Sequence, residues 1–334
     1  MKLRILLGIA ALALVLGAAQ AQQPIVIKFS HVVAKNTPKG QAAEYFKKLA
    51  DERTKGRVRV EVYANSALYK DGEEMEMLQI GAVQMLAPSL AKFGPLGARE
   101  FEVFDLPFLF DTYADVHKVT QGPVGRALFR KLEPKGITGL AYWDNGFKIM
   151  SANKPLKMPS DFKGLKMRIQ SSKVLDQQMR DLGAIPQVMA FSEVYQALQT
   201  GVVDGTENPP SNLYTQKMYE VQKYATVSNH GIVGYAVIVN RKFWSSLPAD
   251  VRTALEGAMK DATDYANDIA KKENDDALEA VRKSGKTQVY TLTPEERRAW
   301  KKALIGVHRE QGARIGKETL DAMYKAIGFD PNKL

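Results

Sequence analysis

The order of periodicities between residues 25 and 87 constrains this chain more than any other feature. Ile25 to Val33 alternates and is β-branched, with Ile25, Ile27 and Phe29 on one face, so it reads as a strand. Thr37-Pro38-Lys39-Gly40 interrupts it, and Gln41 to Arg53 reads as a helix with Ala42, Phe46 and Leu49 on one stripe. Val58 to Tyr63 alternates again. Asp71 to Ile80 reads as a short helix ended by Gly81, and Val83 to Ala87 as a third strand, apolar except for Gln84. Strand, helix, strand, helix, strand in that order predicts an α/β fold, a parallel sheet with covering helices.

Phe101 to Phe110, FEVFDLPFLF, reads as a buried crossover, because Pro107 prevents one regular element. Helices around 112–120 and 123–132 precede a buried strand from Ile137 to Trp143. Residues 148–152 read as extended, 159–164 as a capped turn, 165–169 as a strand and 174–182 as a helix. Residues 187–189 are extended, 192–200 a helix and 202–205 extended. Asn208-Pro209 suits the N-cap and first position of a further helix. The elements from residue 148 onward make a second α/β domain.

A strand from Tyr235 to Asn240 leads into a helix from Pro248 to about Lys283, with Val251, Leu255, Met259, Ala262, Tyr265 and Ile269 on one stripe. At about 1.5 Å per residue it is roughly 55 Å long, which exceeds one small domain and suits a bridge between two. Thr293-Pro294-Glu295-Glu296 is a capping box for a final helix carrying Trp300, Leu304 and Val307. A chain of 334 residues suits two domains. No Gly/Ser/Pro-rich linker divides it, so the expectation is two hinged lobes.

The N-terminus reads as a secretory signal. Lys2 and Arg4 precede an apolar run from Ile5 to Leu16, and Ala19-Gln20-Ala21 supplies small residues for cleavage after Ala21. The run is short for a membrane span of ~20 residues, and no other stretch approaches that length. The mature chain is therefore expected in the periplasm and not itself membrane-spanning. Losing Lys2 and Arg4 lowers the formal charge of +10 by two. The remaining Lys and Arg are scattered among acids, with no arginine-rich arm, so nucleic acid is not an expected partner. A mild positive field suits small anions.

Composition excludes several chemistries. Without cysteine there is no disulfide scaffold, thiolate metal site or thiol nucleophile. His31, His117, His230 and His308 show no metal-ligand spacing, so neither a metal nor a cofactor is expected. No nucleophile elbow, phosphate loop or dinucleotide fingerprint is present, and Glu73, Glu74 and Glu76 on a helix read as mostly outward-facing. Nothing supports an enzyme. Arg168, near the end of the strand Gly164-Leu165-Lys166-Met167-Arg168-Ile169, sits where open α/β sheets bind ligands, and its guanidinium matches a carboxylate. Spacing alone also allows an ordinary salt-bridged arginine there. Lys148 has the same ambiguity, and Asn208 can be an N-cap, an anion site, or both.

The run from Ala190 to Pro209, AFSEVYQALQTGVVDGTENP, resembles the signature of the solute-binding proteins of tripartite ATP-independent periplasmic (TRAP) transporters. Gly164 to Arg168, Leu106 to Phe110, Phe29-Ser30-His31-Val32 and Thr37 to Gly40 are similar to the same family, in order along the mature chain. Residues 166–217 are closest to its DctP type. The resemblance implies a two-lobed periplasmic-binding-protein fold with a hinge and a long helix bridging both lobes. Lobe I would comprise 24–145 and 234–273, and lobe II 146–233 and 274–325. It implies a C4-dicarboxylate ligand (malate, succinate or fumarate), clamped by Arg168, with Lys148 as second basic residue, Asn208 lining the pocket and Phe191 as an aromatic wall. His31, Lys39, Ser89, Trp143 and Asn145 fall near first-lobe pocket positions, where Lys39 or His31 would meet a second carboxylate. Small and large membrane subunits would be the partners. Other readings are another organic acid (sugar acid, 2-oxo acid or aromatic acid), a sensor module, or an exported enzyme.

Overall fold

The computed structural model describes residues 23–333, so the signal sequence and its cleavage site lie outside the described residues. The chain forms β1 (Ile25–Ser30), β2 (Val58–Tyr63), β3 (Met85–Leu86), β4 (Ile137–Phe147), β5 (Ile149–Ala152), β6 (Lys166–Ile169), β7 (Ile185–Val188), β8 (Gly205–Asn208), β9 (Tyr224–Val227), β10 (Ile232–Asn240) and β11 (Gln288–Thr291). They make two sheets, ordered β2-β1-β3-β10-β4 and β11-β9-β5-β8-β6-β7. β1 runs parallel to β2 and β3, as the strand-helix-strand order predicts, while β10 pairs antiparallel with β3 and β4. In the second sheet β6 is parallel to β7 and β8, and β5 antiparallel to β8 and β9. The two-lobed α/β architecture follows, one sheet to a lobe.

Local chemistry places the first half-site. Thr37, read from sequence as part of a break, is the N-cap of the helix Pro38–Thr54; its Oγ1 accepts from the Gly40 N–H at 3.1 Å, with Pro38 in the first turn. Residue 40 must be glycine in this packing, because a Cβ there would lie 2.3 Å from the Ala34 carbonyl oxygen. The cap therefore sets Lys39 in the first turn of a helix that starts beyond the end of β1.

β4 is longer than its apolar pattern suggests, with eleven residues, and shifts register against β10 at Val233/Gly234 and Val237/Ile238. Its end leads through Lys148 into β5, and β9 leads back into β10, so the chain changes sheets there. The helix Ala249–Ser284 packs on the helix Pro38–Thr54 and β4, then on the helix Pro210–Thr215 and β11. It therefore touches both lobes. Asn274 on this helix donates from Nδ2 to the Asn145 carbonyl at 2.7 Å and accepts from the Ser211 N–H at 3.0 Å.

Four sequence expectations are corrected. Asn208 ends β8; Pro209 is the cap residue and Pro210 the first residue of the following helix. β9 and β11 form where no strand was expected. Both are four-residue elements whose burial does not alternate along the strand. The capping box at Thr293 forms with Glu296, yet the final helix is three: Pro294–Leu304, Gly306–Ile315 and Lys317–Ile327. Gly316, at φ 105°, breaks the last two apart. Finally, Glu74 is buried although Glu73 and Glu76 are exposed.

The FEVFDLPFLF segment is buried, as expected. Phe101, Phe104, Leu106 and Phe110 share one apolar core with Val174 and Met179 of the helix Lys173–Asp181 and with Trp300, Leu304 and Met323 of the C-terminal helices. This core continues from one sheet's surroundings to the other's.

Candidate functional site

In the second sheet, Arg168 points into the protein from β6 and is 2% exposed. Its Nε and Nη2 both donate to the Met189 carbonyl, at 3.0 and 2.8 Å, which fixes the plane of the guanidinium. Three of its five N–H donors remain for other acceptors. Burial lowers its pKa, while Asp71 and Glu207 act in the opposite sense, and an arginine stays charged throughout. The Phe191 ring lies 5.7 Å from the guanidinium carbon. Arg168 lines a cavity of about 230 Å³ together with Asp71, Lys92 and Gln170. Asn208, buried at the end of β8, donates from Nδ2 to Thr206 Oγ1 at 3.1 Å.

In the first sheet's lobe, Lys39 is 1% exposed. Its Nζ donates to the Ala87 carbonyl at 2.8 Å and lies 3.7 Å from the centroid of the Tyr235 ring. His31 is fully buried with no hydrogen-bond partner on either ring nitrogen. Burial, reinforced by the Lys39 charge, pushes its pKa down to about 3, so the imidazole is neutral. Lys92 is the opposite case. It pairs with Asp71 and, at 2.8 Å, with Glu74; burial opposes its charge, but the two carboxylates raise its pKa above the usual lysine value.

The two halves are tied across the cleft. Gln170 Nε2 donates to Ser89 Oγ at 2.7 Å, and the Phe191 N–H donates to the Asp71 carboxylate. Asn145 Nδ2 donates to Tyr235 Oη at 2.7 Å, while Asn145 Oδ1 accepts from Ser211 Oγ at 2.9 Å. At the rim, Lys70 Nζ and Glu193 Oε1 form an exposed pair at 2.8 Å.

Residues 29–315 match the model of the DctP family, the bacterial extracellular solute-binding proteins, family 7. The chain belongs to this family. It is 67% identical over 321 residues to the C4-dicarboxylate-binding periplasmic protein DctP of Rhodobacter capsulatus, covering 96% of each chain. Among solved structures it is similar to a TRAP periplasmic solute-binding protein from Shewanella oneidensis with bound succinate. That match has 44% identity and a TM-score of 0.89, over 91% of this chain and 99% of the other. A further neighbour from Pseudomonas aeruginosa, with bound L-malate, is 44% identical with a TM-score of 0.84, over 86% of this chain and 100% of the other. The two-lobed architecture is that of these family members. Among the described residues no helix is long and apolar enough to cross a membrane.

The residues singled out from sequence divide into four groups. Arg168 and Phe191 stand together in one lobe, with Asn208 on the neighbouring strand, while His31, Lys39 and Ser89 stand in the other; Ser89 reaches the first group through Gln170. Asn145 is a tie between Tyr235 and Ser211. Trp143 and Lys148 make their contacts within the protein. The Trp143 indole N–H donates to Thr263 Oγ1 at 2.9 Å, and its ring packs 6.0 Å from Phe29, so it is part of the core. Lys148 Nζ lies 2.8 Å from Glu207 Oε1, and His230 Nε2 lies 2.9 Å from Glu207 Oε2, all buried. Burial opposes ionisation of Glu207, but Lys148 and His230 hold it well below the usual carboxylate range. The Lys148 charge is thus matched within the protein.

Sequence reasoning missed Asp71, Glu74, Lys92, Gln170, Tyr235 and Glu207. Glu207 carried a signal, since it adjoins Asn208 in the Glu-Asn-Pro run. The Asp71–Glu74–Lys92 group carried none, because its members pair through space across about twenty residues of chain.

Proposed function

We propose that this chain is the extracytoplasmic solute-binding subunit of a TRAP transporter and closes on a C4-dicarboxylate such as succinate, malate or fumarate. One observation carries the reading. Each lobe contributes a buried cation with hydrogen-bonding capacity left over, Arg168 from β6 and Lys39 from the helix after β1. A small dianion can satisfy both, one carboxylate to each. Charge-assisted bonds of this kind contribute about 1.5–3 kcal/mol apiece. A monoacid can engage only one of the two buried basic groups and forgoes the other charge-assisted contact, so the pair selects for diacids. The succinate- and malate-bound neighbours support the same ligand class.

In this reading lobe I comprises 24–145 and 234–273, and lobe II 146–233 and 274–325. The sheet memberships of β1–β3 and β10 on one side and β5–β9 and β11 on the other support these boundaries. The two lobes rotate about the β4–β5 and β9–β10 crossings. The signal sequence is removed after Ala21, the mature protein works in the periplasm without a catalytic step, and the closed form is read by the small and large membrane subunits.

The test is a thermal-shift and calorimetric screen of the chain lacking residues 1–21, unfolded and refolded to remove co-purified ligand. Saturating succinate, malate or fumarate at ~100 times Kd stabilises by about 2.7 kcal/mol, a visible rise in Tm. Butyrate gives no comparable rise. A shift with galactonate or a 2-oxo acid but none with C4-diacids overturns the ligand.

A further inference from the structure

Lys39 occupies a setting that favours a neutral amine. No carboxylate lies within ion-pair distance of it among the described residues, and its contacts are one carbonyl and one aromatic face. The titratable groups that face it come from five segments. These are His31 beyond β1, Tyr235 on β10, Lys92 on the turn Leu90–Lys92, Glu74 on the helix Glu74–Gln79, and Asp71 before that helix. The two acids are already engaged by Lys92. His31 is neutral and unbonded, and burial pushes Tyr235 up, so its phenol stays protonated. Burial and the nearby Lys92 charge bring Lys39 down to about 7, against weaker opposite pulls from Glu74 and Asp71. The face of Tyr235 returns less to an ammonium than desolvating an unpaired ion costs.

We propose that the first-lobe half-site binds its ligand together with a proton: Lys39 accepts H⁺ from solvent as a ligand carboxylate arrives, and the lobes close on an ammonium–carboxylate pair. The amine nitrogen gains the proton and no bond of the ligand changes. This rests on the dicarboxylate reading, since the proton is held only where an anion reaches Lys39. Lys92, a neighbouring lysine of the same lobe, cannot do this, because Asp71 and Glu74 keep it charged throughout. Affinity should therefore fall as pH rises above about 7, by close to tenfold per unit, and roughly 15-fold between pH 7.0 and 8.5.

The experiment is titration calorimetry with succinate, whose carboxyl groups are both ionised at these pH values, in phosphate and in Tris. At pH 8.5 the observed enthalpy should depend on the buffer's ionisation enthalpy with a slope near one proton taken up, falling to about half at pH 7.0. In Lys39→Arg, which stays charged, the slope should vanish. The ¹⁵Nζ and ¹³Cε shifts of Lys39 in the unaltered chain should move from amine to ammonium values on adding succinate at pH 8.5, which keeps the test open if the variant does not fold. His31→Asn should keep the slope. Binding with no buffer dependence at pH 8.5, or a dependence that survives Lys39→Arg, overturns the proposal and leaves the dicarboxylate reading intact. No binding of any C4-diacid at any pH overturns the reading itself.

Discussion

Lys148 and Glu207 face each other at 2.8 Å where β5 and β8 pair, and both side chains are buried. Removing one partner leaves the other as an uncompensated internal charge, which costs about 3–5 kcal/mol. Glu207→Gln and Lys148→Met should each lower the unfolding free energy of the ligand-free protein, read from urea titration, by an amount in that range. The double variant should lose less than the sum, because neither charge then remains. Additive losses would mean that the two residues act independently.

Arg168→Lys should weaken succinate binding about 10- to 150-fold in calorimetry, the loss expected for one or more charge-assisted bonds. A lysine has one nitrogen where arginine has a fork, so it cannot hold the Met189 carbonyl and a ligand carboxylate in the same geometry. An unchanged Kd would remove Arg168 from the clamp.

Gln170 and Ser89 are hydrogen-bonded across the cleft. Gln170→Ala should raise the dissociation rate constant about 2- to 10-fold in stopped-flow displacement, with association little changed. The exposed Lys70–Glu193 pair is a weaker tie, and Lys70→Ala should change dissociation less, by an amount that disappears at high salt.

His117 lies 2.5 Å from Asp144, and that hydrogen bond raises its pKa against a smaller opposing effect of burial. A raised basic group adds stability that is full below its unfolded value of about 6.5 and is lost as pH rises through the folded value. His117→Gln should therefore cost on the order of 1 kcal/mol in denaturant titrations at pH 6, and little at pH 9. A cost that grows with pH would contradict the pairing.

Much of the fold was legible because it rests on short-range patterns. Alternation placed β1, β2 and β10; the capping box at Thr293 and the long stripe from Val251 to Met259 placed their helices. β9 and β11 were not legible, since four residues carry too little alternation and their pairing partners lie more than sixty residues apart. Asn208 shows a local rule overridden by tertiary pairing. Asn before Pro suits a helix start, but β8 extends through it because β5 offers a partner at Ile149.

By itself the sequence determined the element order, the division into two α/β lobes and Arg168 at the carboxyl end of a strand. Those depend on residue periods and on motifs that are contiguous in the chain. Only the tertiary structure decided which buried lysines already have a carboxylate partner and which is left for a ligand. Lys39, Lys92 and Lys148 are the same residue type, all buried. Lys92 meets Asp71 and Glu74, Lys148 meets Glu207, and Lys39 meets a carbonyl and an aromatic ring. Charge pairing acts through a few ångströms of space and falls with distance, so chain order cannot predict it.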